Sequence, residues 1–306
     1  MKRGNSRGPI FISHAHANLR TARSVKTALQ AARQDAWLDD SNIHVGVLLR
    51  NELQQAIAAS RAVVLVWSEA ALASRWVAAE ILTSFHLNRF IVPCVFDAVA
   101  LPQFLSRSIF VDLRRARRTA LAKLSEQMKT VPGARNEFPS AVPYQSPELE
   151  QTIDRLNAKQ HEIVNASDPK TALRLQKLLD PEMRAAEKRW RFDSTILNLA
   201  GYHRKNAYMF KHWDEYCAGR FPADRLLDRA EWFFYRTLFV NPLDYSALNG
   251  LGNILLFEGE LPAALFFVER AIEISQKAGV DYQDAKSDRQ LILRRMGTPP
   301  TEATSA

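Results

Sequence analysis

An indole and a carboxylate occur four residues apart, at Trp76 and Glu80, shortly after the most apolar run of the chain. In a helix, that spacing places the two side chains on one face, one turn from each other. The preceding run, residues 62–67, is continuously apolar and rich in valine, which predicts a strand buried on both faces of a parallel sheet. Open α/β sheets bind ligands at the carboxyl ends of such strands. The pair is therefore the first candidate for a binding site.

Other kinds of chemistry lack their sequence signatures. The chain has no Gly-x-Gly-x-x-Gly motif, which argues against a dinucleotide redox site. Its two cysteines, Cys94 and Cys217, provide neither a disulfide framework nor a cysteine metal site. The pair His14 and His16 is too little for a metal centre. No Ser-His-Asp arrangement stands out, and we expect no metal and no bound cofactor.

The first half of the chain alternates between two patterns. Short apolar runs predict five strands, and segments with helical spacing separate them. The predicted strands are residues 9–13, 36–38, 62–67, 90–96 and 108–113, and the predicted helices are 19–32, 49–57, 76–84 and 114–130. Such alternation predicts βαβ units, and thus an α/β domain with a five-stranded parallel sheet covered on both faces.

Residues 131–147 interrupt this pattern with four prolines and a glycine. Beyond them the strand signals vanish, and six helical stretches follow between residues 148 and 278. We therefore predict a first domain at 8–130, a linker at 131–147, an all-helical domain at 148–296 and a disordered tail at 297–306.

The helical half carries a repeat signal. Small and apolar residues recur at the spacing of one 34-residue tetratricopeptide (TPR) unit, namely Leu248, Leu251, Gly252, Leu255, Gly259, Ala264 and Ala271. Small residues at these positions allow two antiparallel helices to pack closely. The segment resembles one TPR hairpin preceded by a degenerate one, so we predict a TPR-like domain. The alternative is a helical bundle in which the period is accidental.

Composition sets the broad class of the protein. The chain has 306 residues, 47% of them apolar, and a net charge of +8. No apolar run reaches the ~18 residues that a membrane-spanning helix requires. The apolar run near the N-terminus is too short for a signal peptide, so we expect a cytoplasmic protein without membrane contact.

The excess of basic over acidic residues lies before residue 146, and we interpret it as a solvated surface. Its densest cluster, residues 114–118, lacks interleaved aromatics, which argues against nucleic-acid binding.

The first domain resembles the TIR (Toll/interleukin-1 receptor/resistance protein) family over residues 8–130. The first family box corresponds to residues 10–16, the second strand and its loop to residues 37–46, and Ser60-Arg61 precedes the buried strand. Ser74-Arg75-Trp76 then leads to Glu80. Relatives carry an acidic residue four or five positions after Ser13, where this chain has Ala17 and Asn18. The resemblance implies a flavodoxin-like fold, and the whole chain is identified as a bacterial TIR protein with a helical, TPR-like C-terminal domain.

The resemblance implies one of two activities. Many bacterial and plant relatives cleave NAD⁺ at the nicotinamide–ribose bond, whereas other relatives are scaffolds without catalysis. Glu80 stands at the position of the family's catalytic glutamate, which favours an NAD⁺ glycohydrolase that releases nicotinamide and ADP-ribose or a cyclic variant. NAD⁺ is then substrate rather than cofactor. The alternative is a non-catalytic scaffold or signalling adaptor that acts through TIR–TIR and TPR–protein contacts.

The same resemblance assigns the remaining site residues. Ser13 and His14, in the first loop, are expected to contact phosphate or ribose, although His14 fits a plain loop histidine equally well. Trp37 would face the nicotinamide end, Trp76 would stack on a flat ring, and Asp39 matches the family's strand-ending acid. Either indole fits a core role equally well.

The family resemblance also implies regulation by assembly. TIR relatives self-associate through the loop after the second strand, here residues 39–47, in which Ile43 and Val45 are expected to be exposed and Gly46 to be a hinge. An unknown protein or ligand on the helical domain would trigger this assembly, plausibly in antiviral defence.

Overall fold

The structure is a computed structural model that describes residues 8–38, 49–106, 108–115, 117–131 and 146–297, with the side chains of residues 49–52 excepted. The chain divides into two compact units, Met1–Pro139 and Ser140–Ala306. No helix in the described part of the chain is long and apolar enough to cross a membrane. Most of the predicted linker, the predicted tail from residue 298 onward and the loop after the second strand lie outside the described residues.

The first unit contains one parallel sheet of five strands in the order β2-β1-β3-β4-β5. The strands are β1 (Ile10–His14), β2 (Ala36–Leu38), β3 (Ala62–Trp67), β4 (Phe90–Val95) and β5 (Val111–Asp112). All six residues of β3 are buried, as a continuous apolar run at the centre of a parallel sheet predicts. The predicted α/β fold with five parallel strands is confirmed.

Helices connect these strands along the chain. They are α1 (Leu19–Ala31), α2 (Leu49–Ala59), α3 (Glu69–Leu72), α4 (Arg75–His86) and α5 (Arg117–Gln127). The short helix α3 was not predicted, because its four residues are too few for a helical period to show. Short 3₁₀ turns at His16–Asn18, Gln103–Leu105 and Met128–Thr130 complete the unit.

Two different helix layers cover the sheet. Successive side chains of a strand point to opposite faces. Ile12 and Val64 belong to an apolar cluster that includes Leu29 of α1 and Leu124 of α5. Helices α1 and α5 therefore cover one face. Helix α4 packs against β1 and β4 on the other face, the face of Phe11 and its alternating neighbours.

Strand β5 is shorter than the predicted 108–113. It pairs with β4 only at Cys94 and Val95, directly after Pro93. Proline has no N–H to donate to a ladder, so pairing begins beyond it. The predicted strand residues Ile109 and Phe110 are instead exposed, by 87% and 44%.

The second unit is helical throughout its described residues, 146–297. Its eight helices are α6 (Pro147–Val164), α7 (Pro169–Arg189), α8 (Ser194–Lys211), α9 (Trp213–Cys217), α10 (Arg225–Val240), α11 (Tyr245–Phe257), α12 (Leu261–Lys277) and α13 (Gln283–Arg295). Aspartates cap several of them; the Asp168 side chain, for example, accepts from the N–H groups of Lys170 and Thr171. The helical character of this half is confirmed, whereas its membership of the TPR class stays a prediction.

The helix boundaries differ from the prediction at two places. A single helix was expected over 193–217, but His212 has non-helical angles (φ −114°, ψ 39°) and separates α8 from α9. Helix α13 was not predicted as a separate element. It buries only Ala285, Ile292 and Leu293, so its apolar period is weak.

Close packing in this unit depends on glycines inside helices. Gly201 of α8 and Gly250 of α11 both face the ring of Phe234 on α10, and a Cβ at either position would overlap that ring. Gly252 similarly faces Val268 of α12. Of the glycines in the predicted repeat, Gly252 therefore permits close helix contact, whereas nothing lies within 4 Å of a Cβ at Gly259.

Substituting Gly250 with Val is expected to destabilise the helical unit by about 1–3 kcal/mol, because overpacking forces Phe234 out of its position. The unfolding midpoint, followed by circular dichroism at 222 nm, should fall by roughly 2–10 °C. Ala158→Val on the exposed surface of α6 introduces a similar side chain without a clash and serves as the control. Equal midpoints for the two variants would contradict the packing argument.

Candidate active site

Ser13 and Glu80 meet at the carboxyl end of β1, although 67 residues separate them in the chain. The Ser13 hydroxyl donates a hydrogen bond to Glu80 Oε2, and both residues are buried. Burying a carboxylate is costly unless it is hydrogen-bonded. This contact therefore joins β1 to α4 through a polar pair inside an otherwise apolar layer.

Helix α4 places Glu80 in this position. Ser74 caps the helix, and its side chain accepts from the Val77 N–H at 3.3 Å. The helix is apolar enough that every residue from Val77 to Phe85 is buried, Glu80 included, with 4% of its surface exposed. Ser84 Oγ donates to the Glu80 carbonyl at 2.6 Å. A cap, an apolar face and a serine one turn later thus fix the carboxylate against the sheet.

Trp37 lies on the same face of the sheet as Ser13. In the parallel register, Trp37 is opposite Phe11, and Phe11 and Ser13 alternate on one side of β1. The Trp37 ring stacks on Phe11 with centroids 5.1 Å apart, yet 39% of the residue is exposed. The indole thus has one packed face and substantial free surface. The expectation of a purely core role for Trp37 does not fit that exposure.

Trp76 begins α4 one turn before Glu80 and is 43% exposed. The predicted i, i+4 relation holds because both residues lie within one helix. Trp37 and Trp76 are therefore exposed, whereas Glu80 is buried.

The other two predicted residues have different positions. His14 follows Ser13 in β1 and is in register with Val66, whose side chain belongs to the cluster under α1 and α5. By strand alternation, His14 points away from the face of Ser13 and Glu80. Asp39 lies outside the described residues.

A second set of polar contacts joins the loops at this edge, and it was not predicted. Ser68 Oγ caps α3 and donates to the Asn18 side-chain oxygen at 2.5 Å. Asp97 accepts from the Glu69 N–H at 2.8 Å, and the Trp67 indole donates to the Ala100 carbonyl at 3.0 Å. The loops after β1, β3 and β4 are thus connected. Ser68 before a helical segment is a cap signal that sequence alone contains.

The basic cluster after β5 is partly neutralised. Arg114 forms an ion pair with Asp112 at 2.8 Å, and hydrogen bonds from Arg114 lower the pKa of Asp112 to about 2. The Arg117 guanidinium lies 5.3 Å from the Phe96 ring centroid. Within the described residues, no group of three His, Cys, Asp or Glu side chains could hold a metal ion.

Comparison with protein families identifies this unit. Residues 10–127 match the TIR domain family, a range that spans every strand of the sheet and α1 to α5. The N-terminal domain is a TIR domain. The resemblance found in its motifs is therefore confirmed at the level of the domain. No curated protein matches the chain, and because one fold hosts several functions, the TIR domain by itself does not decide between catalysis and scaffolding.

The Ser13–Glu80 contact can be tested by a double-mutant cycle on the stability of the TIR domain. Ser13→Ala leaves the buried carboxylate one donor short, which is expected to cost about 1–3 kcal/mol. In a Glu80→Gln background the cost should shrink, giving a coupling energy of about 0.5–3 kcal/mol in urea unfolding. Ser84→Ala removes a hydrogen bond to the backbone carbonyl of Glu80 and should be additive with Glu80→Gln. Additivity of Ser13→Ala as well would show that the Ser13 hydroxyl does not stabilise the charge of Glu80.

Proposed function

We propose that this TIR domain is an NAD⁺ glycohydrolase with Glu80 as its catalytic residue. The observation that carries the proposal is the position of Glu80, a buried carboxylate hydrogen-bonded to Ser13 at the carboxyl edge of a parallel sheet. Ligands of open α/β sheets bind at this edge. Carboxylates are almost never fully buried without a specific reason.

The chemistry requires one well-placed carboxylate. Cleavage breaks the bond between ribose C1′ and the nicotinamide nitrogen and builds positive charge on the ribose, as in glycoside hydrolysis. Glu80 binds a ribose hydroxyl and stabilises that charge in a site with little water. Nicotinamide leaves as a neutral molecule from a pyridinium, so no acid has to protonate it. Water then forms the new C1′–O bond and loses a proton, which yields ADP-ribose.

The remaining side chains would orient the dinucleotide. Ser13 holds the Glu80 carboxylate in place, and the exposed faces of Trp37 and Trp76 are available to stack on flat rings. His14 and Asp39 are proposed only as peripheral contacts to ribose or phosphate. A cyclic product results where a nucleophile of the same molecule attacks C1′ in place of water.

The test is to incubate the purified full chain with NAD⁺ and to quantify nicotinamide by chromatography. Release of nicotinamide and ADP-ribose, or a cyclic isomer, in proportion to enzyme and time supports the proposal. Intact NAD⁺ at high protein concentration, with the TIR domain shown to be folded, would refute it.

A scaffold function is the second candidate, favoured by apolar side chains on the surface of the TIR domain. Ile109, Phe110 and Trp76 are exposed by 87%, 44% and 43%. Exposed apolar surface of this kind is typical of protein interaction sites. The absence of nicotinamide release together with TIR–TIR association would assign the protein to this class. Antiviral defence fits either function, and we propose it for the enzyme as self-limiting depletion of NAD⁺.

A further inference from the structure

Helix α13 is attached to the helical domain largely by polar contacts. It buries only Ala285, Ile292 and Leu293 of its thirteen residues. Arg289 pairs with Glu269 of α12 at 3.0 Å, but both side chains are more than one-third exposed. Exposed ion pairs contribute little stability. The apolar contribution to the docking of α13 is therefore small for a helix of this length.

Beneath α13 lies a buried ammonium group. Lys205 of α8 is buried, and its Nζ donates to Asn253 Oδ1 of α11 at 2.9 Å and lies 4.9 Å from the Tyr202 ring centroid. Burial lowers the pKa of Lys205, and the negative charges of Asp288 and Asp284, both on α13, act in the opposite direction. A buried cation requires a nearby anion or it destabilises the fold.

That anion comes from α13. Asp288 Oδ2 accepts two hydrogen bonds, from Asn249 Nδ2 at 2.9 Å and from Asn253 Nδ2 at 2.7 Å. The two asparagines are four residues apart on α11, so their amides converge on one carboxylate oxygen. Asn253 also accepts from Lys205, which links ammonium, amide and carboxylate in one chain of hydrogen bonds. Two helices of the domain therefore provide a complete carboxylate receptor, and α13 provides only the carboxylate.

The end of α13 makes a further reversible contact. Arg295 donates to the Gly219 carbonyl at 2.9 Å, and its guanidinium lies 4.6 Å from the Phe221 ring centroid. Gly219 has a positive φ of 69°, which turns its loop toward α13. Because this contact is exposed, it orients the end of α13 but contributes little to the free energy with which the helix docks.

We propose that Lys205, Asn249 and Asn253 form a binding site for an acidic peptide segment of a partner protein, and that α13 occupies this site as an internal ligand in the free protein. Helix α13 presents an acidic side chain, Asp288, and an aliphatic side chain four positions later, Ile292. We expect the partner segment to carry the same two types of residue at the same spacing. The positive charge of buried Lys205 favours a ligand that carries a carboxylate at this position. A partner would bind only when α13 leaves, so partner binding and docking of α13 are mutually exclusive.

The experiment begins with the full chain carrying a specific protease site after Gly279, in the turn between α12 and α13, which is cut after folding. While α13 is tethered, its effective concentration at the site is high, and an added peptide competes poorly with it. Cutting the chain removes this advantage. The released C-terminal fragment is separated by size exclusion, and a fluorescent peptide of residues 281–297 is then titrated by anisotropy. The cut protein should keep its helical spectrum and bind the peptide saturably, whereas the intact chain should bind it at least tenfold more weakly.

Variants test the chemistry of the site. An Asp288→Asn peptide should bind about tenfold or more weakly, since hydrogen bonds to a charged acceptor are lost. Lys205→Met in the cut protein should have a similar effect. An Asp281→Asn peptide carries the same charge change at an exposed position whose partners, Gln283 and Lys286, lie within the peptide itself, and it should bind like the unmodified peptide.

Three outcomes would overturn the proposal. Loss of the helical spectrum when the fragment leaves would show that the helical domain needs α13 in order to fold. Equal binding of the Asp288→Asn and unmodified peptides would show that the site does not recognise the carboxylate. An intact chain that dimerises by exchanging α13 would assign the site to a second copy of this chain instead of a partner.

Discussion

Glu80→Gln is expected to reduce the rate of NAD⁺ cleavage by roughly 10²–10³, the typical cost of one preorganised electrostatic stabiliser. The amide has nearly the shape of the carboxylate, and its oxygen still accepts the hydrogen bond from Ser13. It lacks the negative charge that stabilises a cationic ribose. The loss should therefore appear in kcat, measured as nicotinamide released per minute, with little change in the unfolding midpoint.

The matched control is Glu126→Gln, which makes the same chemical change on α5. Glu126 is exposed and pairs with Lys129 on the face of the sheet opposite to Glu80. It should retain the activity of the unsubstituted protein. Should Glu80→Gln turn over NAD⁺ as fast as this control, Glu80 would have no part in catalysis, and its burial with Ser13 would be purely structural.

Burial pattern explains why so much of the TIR fold could be predicted. A strand covered on both faces has no polar side, so β3 appears in the sequence as an uninterrupted apolar run. Helix α1 is covered on one face only, and its buried residues Ala22, Val25 and Leu29 recur at helical spacing. Both patterns are local, so a single sequence contains them.

Contacts between distant segments explain what was missed. Ser13 and Glu80 could each be proposed as site residues, but their hydrogen bond depends on β1 lying beneath α4, which only the order of the strands determines. The same holds for Asn18 and Ser68, which are 50 residues apart. The sequence suggested Ser13 and Glu80 separately, while the order of the strands determines that they touch.

Helix α13 shows another reason why part of the fold could not be predicted from the sequence. Its buried face includes Asp288, a charged residue whose partners are two asparagines of α11. Apolar periodicity cannot detect a helix that docks through a carboxylate, because the pattern counts Asp288 as a surface position. Elements that attach by polar contacts are thus hard to predict from apolar periodicity.

Specific activity is expected to rise with protein concentration, because we propose that TIR domains complete their site by self-association. An enzyme that consumed NAD⁺ freely would deplete its own cell, so the isolated chain should have low activity. The loop at residues 39–47 follows Leu38, whose register partner is Ile12, next to Ser13. A neighbouring domain that contacts this loop would therefore act close to Glu80. Crowding the protein on beads should raise the rate per molecule.

Val45→Asp is expected to abolish that rise, since a charge placed in an apolar contact must be desolvated without a partner. At high concentration the variant should be at least tenfold slower than the unsubstituted protein, while at low concentration the two should agree. Leu178→Asp is the control, because it makes the same type of change at a residue of α7 that is 72% exposed. Circular dichroism checks that both variants fold. If activity per molecule stays constant over a hundredfold concentration range and Val45→Asp matches Leu178→Asp, catalysis does not depend on contact between TIR domains, and Glu80 acts within a single chain.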